Sequence, residues 1–234
     1  MKIDVFPHFL PARYKDALSK KANQKFYAAG WDKLLPKTPG LYDLDMRLRL
    51  IEQHEGLREV LTMSAPPLEM IADPQAAAEL AQIGNDGLAE LVAKYPDHFI
   101  AGVAGLPMNN MEAALKETDR AIKDLKLKGV QIYTPIDGKP LDAPEFLPLY
   151  EKMAEYNLPI YIHPWRSNDF ADYDTESESK YATTSIFGWP YETTIAMTRL
   201  IFSGILEKYP NLKVVTHHGG GMVPLHWEHG PLGI

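Results

Sequence analysis

Residues 129–163 read GVQIYTPIDGKPLDAPEFLPLYEKMAEYNLPIYIH. The two ends, Gly129–Tyr133 and Pro159–Ile162, are short β-rich runs. Between them Asp142 and Pro144 can open a helix, and Asn157 followed by Pro159 can close it. Pro148 lies inside that helix and conflicts with it locally, because an interior proline removes a ladder donor. Strand, helix and strand in this order predict a right-handed crossover onto a parallel sheet.

The same alternation extends in both directions. Ile3–Val5, Glu59–Thr62, Phe99–Ala104 and Lys213–Val215 bring the strand candidates to six. Helical periodicity appears at Leu80, Ile83, Leu88, Leu91 and Val92, again from Met111 to Leu125, and again from Ile195 to Leu206. The expected class is α/β, either an open doubly wound sheet or a closed (β/α)8 barrel. Two stretches, 10–42 and 164–191, exceed ordinary connections and each follows a strand, which predicts lids or binding elements over a site. With no internal repeat, low-complexity tract or linker, residues 1–234 read as a single domain.

Composition narrows the function. The 234 residues are 45% hydrophobic and carry 24 Lys and Arg against 31 Asp and Glu, a net charge of −7. No basic run is present to neutralise a phosphate backbone or an anionic membrane, so neither nucleic acid nor membrane is an expected partner. Zero cysteines exclude disulfides, thiolate nucleophiles and thiolate zinc sites, so any metal must be held by His, Asp or Glu. The start, Met1-Lys2-Ile3-Asp4, has no apolar signal region, and the default expectation is the cytoplasm.

Four of the eight histidines share one placement, at three strand ends. His8 follows the first strand, His163 the fifth, and His217-His218 the sixth. In parallel α/β architectures the C-terminal strand ends converge on one rim, so these residues form a candidate metal or acid/base site. His54 and His98 lack that placement and read as surface residues. His218 is followed by Gly219-Gly220-Gly221, which permits unusual dihedrals and close backbone approach to a ligand. The run is not GxGxxG, and no GxxxxGK[ST] or GxSxG occurs, which argues against dinucleotide, P-loop and α/β-hydrolase chemistry.

Taken in order, several stretches resemble the amidohydrolase superfamily and its aminocarboxymuconate-semialdehyde decarboxylase-like branch. They are Met1–Asp4 through His8-Phe9-Leu10-Pro11, Lys128–Ile132, His163-Pro164-Trp165, Gly188-Trp189-Pro190-Tyr191-Glu192-Thr193-Thr194, and Pro210–Val214 with His218–Gly221. The resemblance implies a (β/α)8 barrel of the TIM type, with about six βα units in this chain. It also implies one divalent metal, zinc first and manganese second, a small-molecule carboxylate substrate and a homodimer. Position by position, His8 and His163 resemble metal ligands, His218 the histidine that handles protons, and Arg47 the arginine that grips a substrate carboxylate. A solvated helix-start charge beside Asp43 and Asp45 is the alternative for Arg47.

There are three departures from the pattern. Phe6 stands where the first histidine of the strand-one pair is expected, and His229 where a second carboxylate-binding arginine is expected. The late strands and their aspartate ligand have no counterpart before Ile234. The expected reaction is metal-dependent decarboxylation of an unsaturated or aromatic carboxylate, with Trp165 and Trp189, joined by Phe187 and Tyr191, lining an apolar pocket. Metal-dependent hydrolysis at the same residues and a catalytically inactive homologue are the alternatives.

Overall fold

The computed structural model describes residues 1–28 and 30–226. The chain falls into two compact units, Met1–Gln131 and Ile132–Ile234.

The first unit begins with β1 (Lys2–Asp4), α1 (Ala12–Lys21), α2 (Leu44–Glu52) and β2 (Leu57–Leu61). It continues through α3 (Pro74–Lys94), β3 (Phe99–Gly102), β4 (Ala104–Gly105) and α4 (Met111–Lys123) to the start of β5 (Val130–Thr134). β1, β2 and β3 are parallel, with Asp4 opposite Glu59 and Val60 opposite Ala101. The expected strand 99–104 is split at Val103. Val103 N–H donates to Leu61 O, whereas Ala104 N–H donates to Gly129 O, so the two halves bond to different neighbours.

α3 starts where its sequence says it should. Asp73 accepts from the backbone of Gln75 and Ala76, Pro74 fills the first turn, and Leu80 and Leu88 are fully buried. Its partner α4 brings a buried carboxylate, Glu117, which accepts from Asn85 Nδ2 at 2.7 Å and Arg120 Nε at 2.9 Å. Asn85 also exchanges two hydrogen bonds with the Gly105 backbone, so α3, β4 and α4 are joined by one satisfied polar network. The stretch 10–42 is largely helical: Tyr14 and Leu18 of α1 and, further along, Phe26 and Trp31 are buried.

The second unit holds the rest of β5, then α5 (Leu147–Tyr156), β6 (Pro159–Pro164), α6 (Trp189–Phe202) and β7 (Lys213–Thr216), with β5, β6 and β7 adjacent in that order. A 3₁₀ turn, Pro144–Phe146, precedes α5, which places Pro148 in the first turn of the α-helix, where no ladder donor is lost. Asn157 closes α5 in the left-handed conformation at φ 53°. All five residues of β5 are buried, as for a parallel strand covered on both faces. The third helical run ends at Phe202, and after Gly204 (φ 77°) a separate turn, Ile205–Lys208, begins. The α/β class is therefore present as successive parallel βα units. Among the described residues no helix is long and apolar enough to cross a membrane.

Candidate metal and catalytic centre

β6 and β7 run in parallel register with Ile162 opposite Thr216, so the next residues, His163 and His217, are neighbours on one side of the sheet. Their ring centroids are 4.6 Å apart and both residues are buried. Tyr133 of β5 continues the row, 5.2 Å from His163. His163 Nδ1 lies 2.6 Å from Pro164 O and His217 Nδ1 3.0 Å from Ile162 O. A carbonyl oxygen can only accept, so each Nδ1 carries the proton, and in the neutral ring the lone pair is on Nε2.

The first unit holds His8 just beyond β1, bridged to Thr62 beyond β2. Thr62 Oγ1 donates to Pro7 O at 2.9 Å and lies 2.7 Å from His8 Nδ1. With the hydroxyl proton directed at Pro7, His8 Nδ1 must be the donor to Oγ1, which again leaves the lone pair on Nε2. Three imidazoles thus share the tautomer that second-shell acceptors impose on metal-binding histidines.

His218 differs from these three. It turns the chain at φ 55° and begins a left-handed run continued by Gly219, Gly220 and Gly221. A Cβ on Gly221 would come within 2.4 Å of Pro190 O, so the glycine presses the turn against the start of α6. Met222 N–H donates to Thr194 Oγ1 at 2.8 Å, locking that contact. Trp189, the first residue of α6, consequently stacks on His218 at 5.4 Å and 24° and meets His163 edge-on at 5.6 Å. His218 keeps an exposed face, but the packing of its ring desolvates the charged form and lowers its pKa below the ordinary imidazole value.

The second unit therefore brings together His163, His218 and Trp189 of the expected residues, along with His217, which the sequence placed at the same strand end but to which it assigned no role. A signal for His217 was available: aligning Pro159–Ile162 with Lys213–Thr216 puts positions 163 and 217 side by side. Trp165 continues from β6, its N–H donating to Thr134 O at 2.8 Å. Phe187 and Tyr191 are exposed. Arg47 of α2 donates from Nε to Glu59 Oε2 at 2.9 Å, and both side chains are largely buried. Burial raises the Glu59 carboxyl above its usual range, outweighing the opposing effect of Arg47. Phe6 donates its backbone N–H to Asp4 Oδ1, and His229 lies outside the described residues.

The amidohydrolase family profile matches residues 8–232. The chain is 30% identical to a 2-amino-3-carboxymuconate-6-semialdehyde decarboxylase of Dictyostelium discoideum, over 98% of this chain and 67% of that protein. It is 34% identical to a gamma-resorcylate decarboxylase of Polaromonas, over 77% of this chain and 56% of that one. A solved 5-carboxyvanillate decarboxylase of Novosphingobium aromaticivorans, complexed with manganese and 4-hydroxy-3-methoxy-5-nitrobenzoic acid, superimposes with a TM-score of 0.78 at 27% identity. That match covers 98% of this chain and 68% of that one. The chain thus spans between about half and two thirds of the length of these relatives.

Proposed function

The chain belongs to the amidohydrolase family, and from that premise we propose that it is a metal-dependent decarboxylase acting on an aromatic or unsaturated carboxylate. The observation that carries this reading is the matched tautomer of the histidines, because each Nδ1 is held by an oxygen acceptor and each Nε2 keeps a lone pair for a cation. His8, His163 and His217 would hold the metal, each offering one imidazole nitrogen. Such a nitrogen set by itself suits zinc, and we rank manganese first only because the solved relative holds that ion. When bound, the cation supplies a Lewis acid that stabilises the charge left as carbon dioxide departs.

The remaining work falls to side chains. His218 moves the proton that replaces the lost carboxylate, passing it from solvent to the substrate carbon. Trp189 holds the His218 ring in place by stacking and, with Trp165, offers the aromatic wall against which a planar acid lies. Arg47 would grip a substrate carboxylate through its terminal guanidinium donors while Nε stays on Glu59. The working form we propose is a cytoplasmic homodimer. The dimer rests on the resemblance, and light scattering checks it by returning the mass of two chains.

The deciding assay incubates manganese-loaded and zinc-loaded protein with a panel of hydroxybenzoates and muconate-type acids and measures carbon dioxide. Gas release that His218→Ala abolishes is the expected result. Hydrolysis products without gas would move the chain to the hydrolase reading, and a fully metallated protein that turns over no member of the panel would overturn both.

A further inference from the structure

We infer that residues 167–187, between β6 and α6, form a latched strap, held open here under backbone strain and poised to close over the strand-end histidines of the second unit. Both of its ends lie at that centre. It leaves β6 just beyond His163 and returns at Trp189, which stacks on His218. The base is fixed, because Arg166 Nη1 donates to Glu192 Oε1 at 2.7 Å. Gly188 lets that arginine pack against the start of α6, where a Cβ would approach Arg166 Cδ to 2.6 Å. Movement is therefore confined to the residues between.

The strain sits at one place. Tyr181 and Ala182 follow one another at φ 57° and 59°, a left-handed conformation that non-glycine residues seldom adopt singly and less often in succession. They lead into a π-helical turn, Thr184–Gly188, itself an uncommon form. The Thr184 hydroxyl in that turn and the Trp189 indole N–H beyond it are buried with no hydrogen-bond partner among the described residues, which is a further cost of this arrangement. Packing of Tyr181 does not hold the pair in place, since that residue is 91% exposed.

Asp172 holds it. Its carboxylate accepts from Ser179 Oγ at 3.0 Å, from the Lys180 N–H at 3.0 Å and from Thr183 Oγ1 at 2.7 Å, so one charged group grips the chain on both sides of the strained pair. The Lys180 N–H, with the Thr183 hydroxyl, keeps this carboxyl below the usual carboxylate range. The clasp is exposed, so water can replace each donor and release is easy. Against it stands apolar surface: Phe170, Tyr173, Tyr181, Ile186 and Phe187 are each more than half exposed, and closure would bury them. Strain relief and burial favour the closed strap, and the clasp favours the open one.

The test uses neither metal nor substrate, so its failure leaves the decarboxylase reading untouched. The chain has no cysteine, so Thr175→Cys on the strap and Glu155→Cys on α5 give two unique positions for spin labels. Pulsed electron paramagnetic resonance on the chelator-treated full chain then reads the distance between them. Two discrete distances are expected, the open one dominant. Asp172→Ala should shift their ratio at least about tenfold toward the second, as loss of hydrogen bonds to a charged group implies. Ala182→Gly should shift it about threefold toward the first, because glycine takes the left-handed conformation without strain, and should partly reverse Asp172→Ala in the double variant. Thr183→Val, which removes one donor, should act as Asp172→Ala does by a smaller factor, and it decides the matter if Asp172→Ala fails to fold. An unchanged ratio in these variants would overturn the proposal. So would a single broad distribution in Asp172→Ala that Ala182→Gly does not narrow, because Asp172 would then only order a loop.

Discussion

At His8, His163 and His217 the proton of Nδ1 is directed at an oxygen, and this single repeated choice distinguishes them from His218. If the three are ligands and His218 a proton carrier, the substitutions should separate cleanly. His217→Ala should lose bound manganese as completely as His163→Ala, while His218→Ala keeps a full equivalent and loses turnover; metal analysis of dialysed protein reads both. An unchanged metal content in His217→Ala would remove that residue from the ligand set. Thr62 would act one step further out, through its contact with His8 Nδ1 at 2.7 Å. Thr62→Val should weaken manganese binding by about 10–100-fold, the usual cost of losing such a supporting acceptor, with Thr62→Ser restoring it. His163 and His218 were legible as residues at strand ends. His217 was legible at its strand end too, but not as a candidate ligand, because two adjacent histidines after a strand leave open which one continues the pleat and which begins the turn.

Between elements, α2 and β2 are joined by Arg47 and Glu59, and here the arginine read from the resemblance has a structural commitment. The carboxyl of Glu59 is raised by burial despite its partner, so the pair does not recover its full desolvation cost. Arg47→Met should therefore destabilise the chain by about 3–5 kcal/mol in urea unfolding, and Arg47→Met/Glu59→Leu should recover most of it. The pH dependence follows the same sign. A raised carboxyl contributes stability that is full below its unfolded value of about 4.3 and is lost as pH rises through the higher folded value. Without Arg47 that loss should be steeper, and an Arg47→Met protein whose stability climbs with pH over this range would refute the assignment. Gly221 joins the glycine run to α6. Gly221→Ala should cost about 1–3 kcal/mol, because the backbone sits at φ 64° with Pro190 O in the way, and should lower turnover by shifting His218 against Trp189. Most elements were readable because parallel strands are short apolar runs between helix caps. The helices within 10–42 were missed, since Tyr14 and Leu18 are one helical turn apart among polar neighbours, a stripe too narrow to stand out.

For the molecule as a whole, the proposed ligands come from positions 8, 163 and 217, separated by most of the chain, so metal binding and folding are thermodynamically linked. The alternation of strands and helices made the α/β class legible, but a ligand set is a property of tertiary arrangement, and only register along β6 and β7 shows which imidazoles pair. A cation that binds the folded chain alone stabilises it by about 2.7 kcal/mol at a free concentration one hundred times its Kd. For a chain of 234 residues that corresponds to a rise of roughly 5–10 °C in Tm. Differential scanning of chelator-treated protein with and without manganese should show this shift, growing with the logarithm of free metal. His163→Ala should melt at one temperature whether or not manganese is present, because the link passes through its imidazole. If manganese moves the His163→Ala transition as far as it moves the parent's, the cation binds elsewhere and the strand-end histidines are not its site.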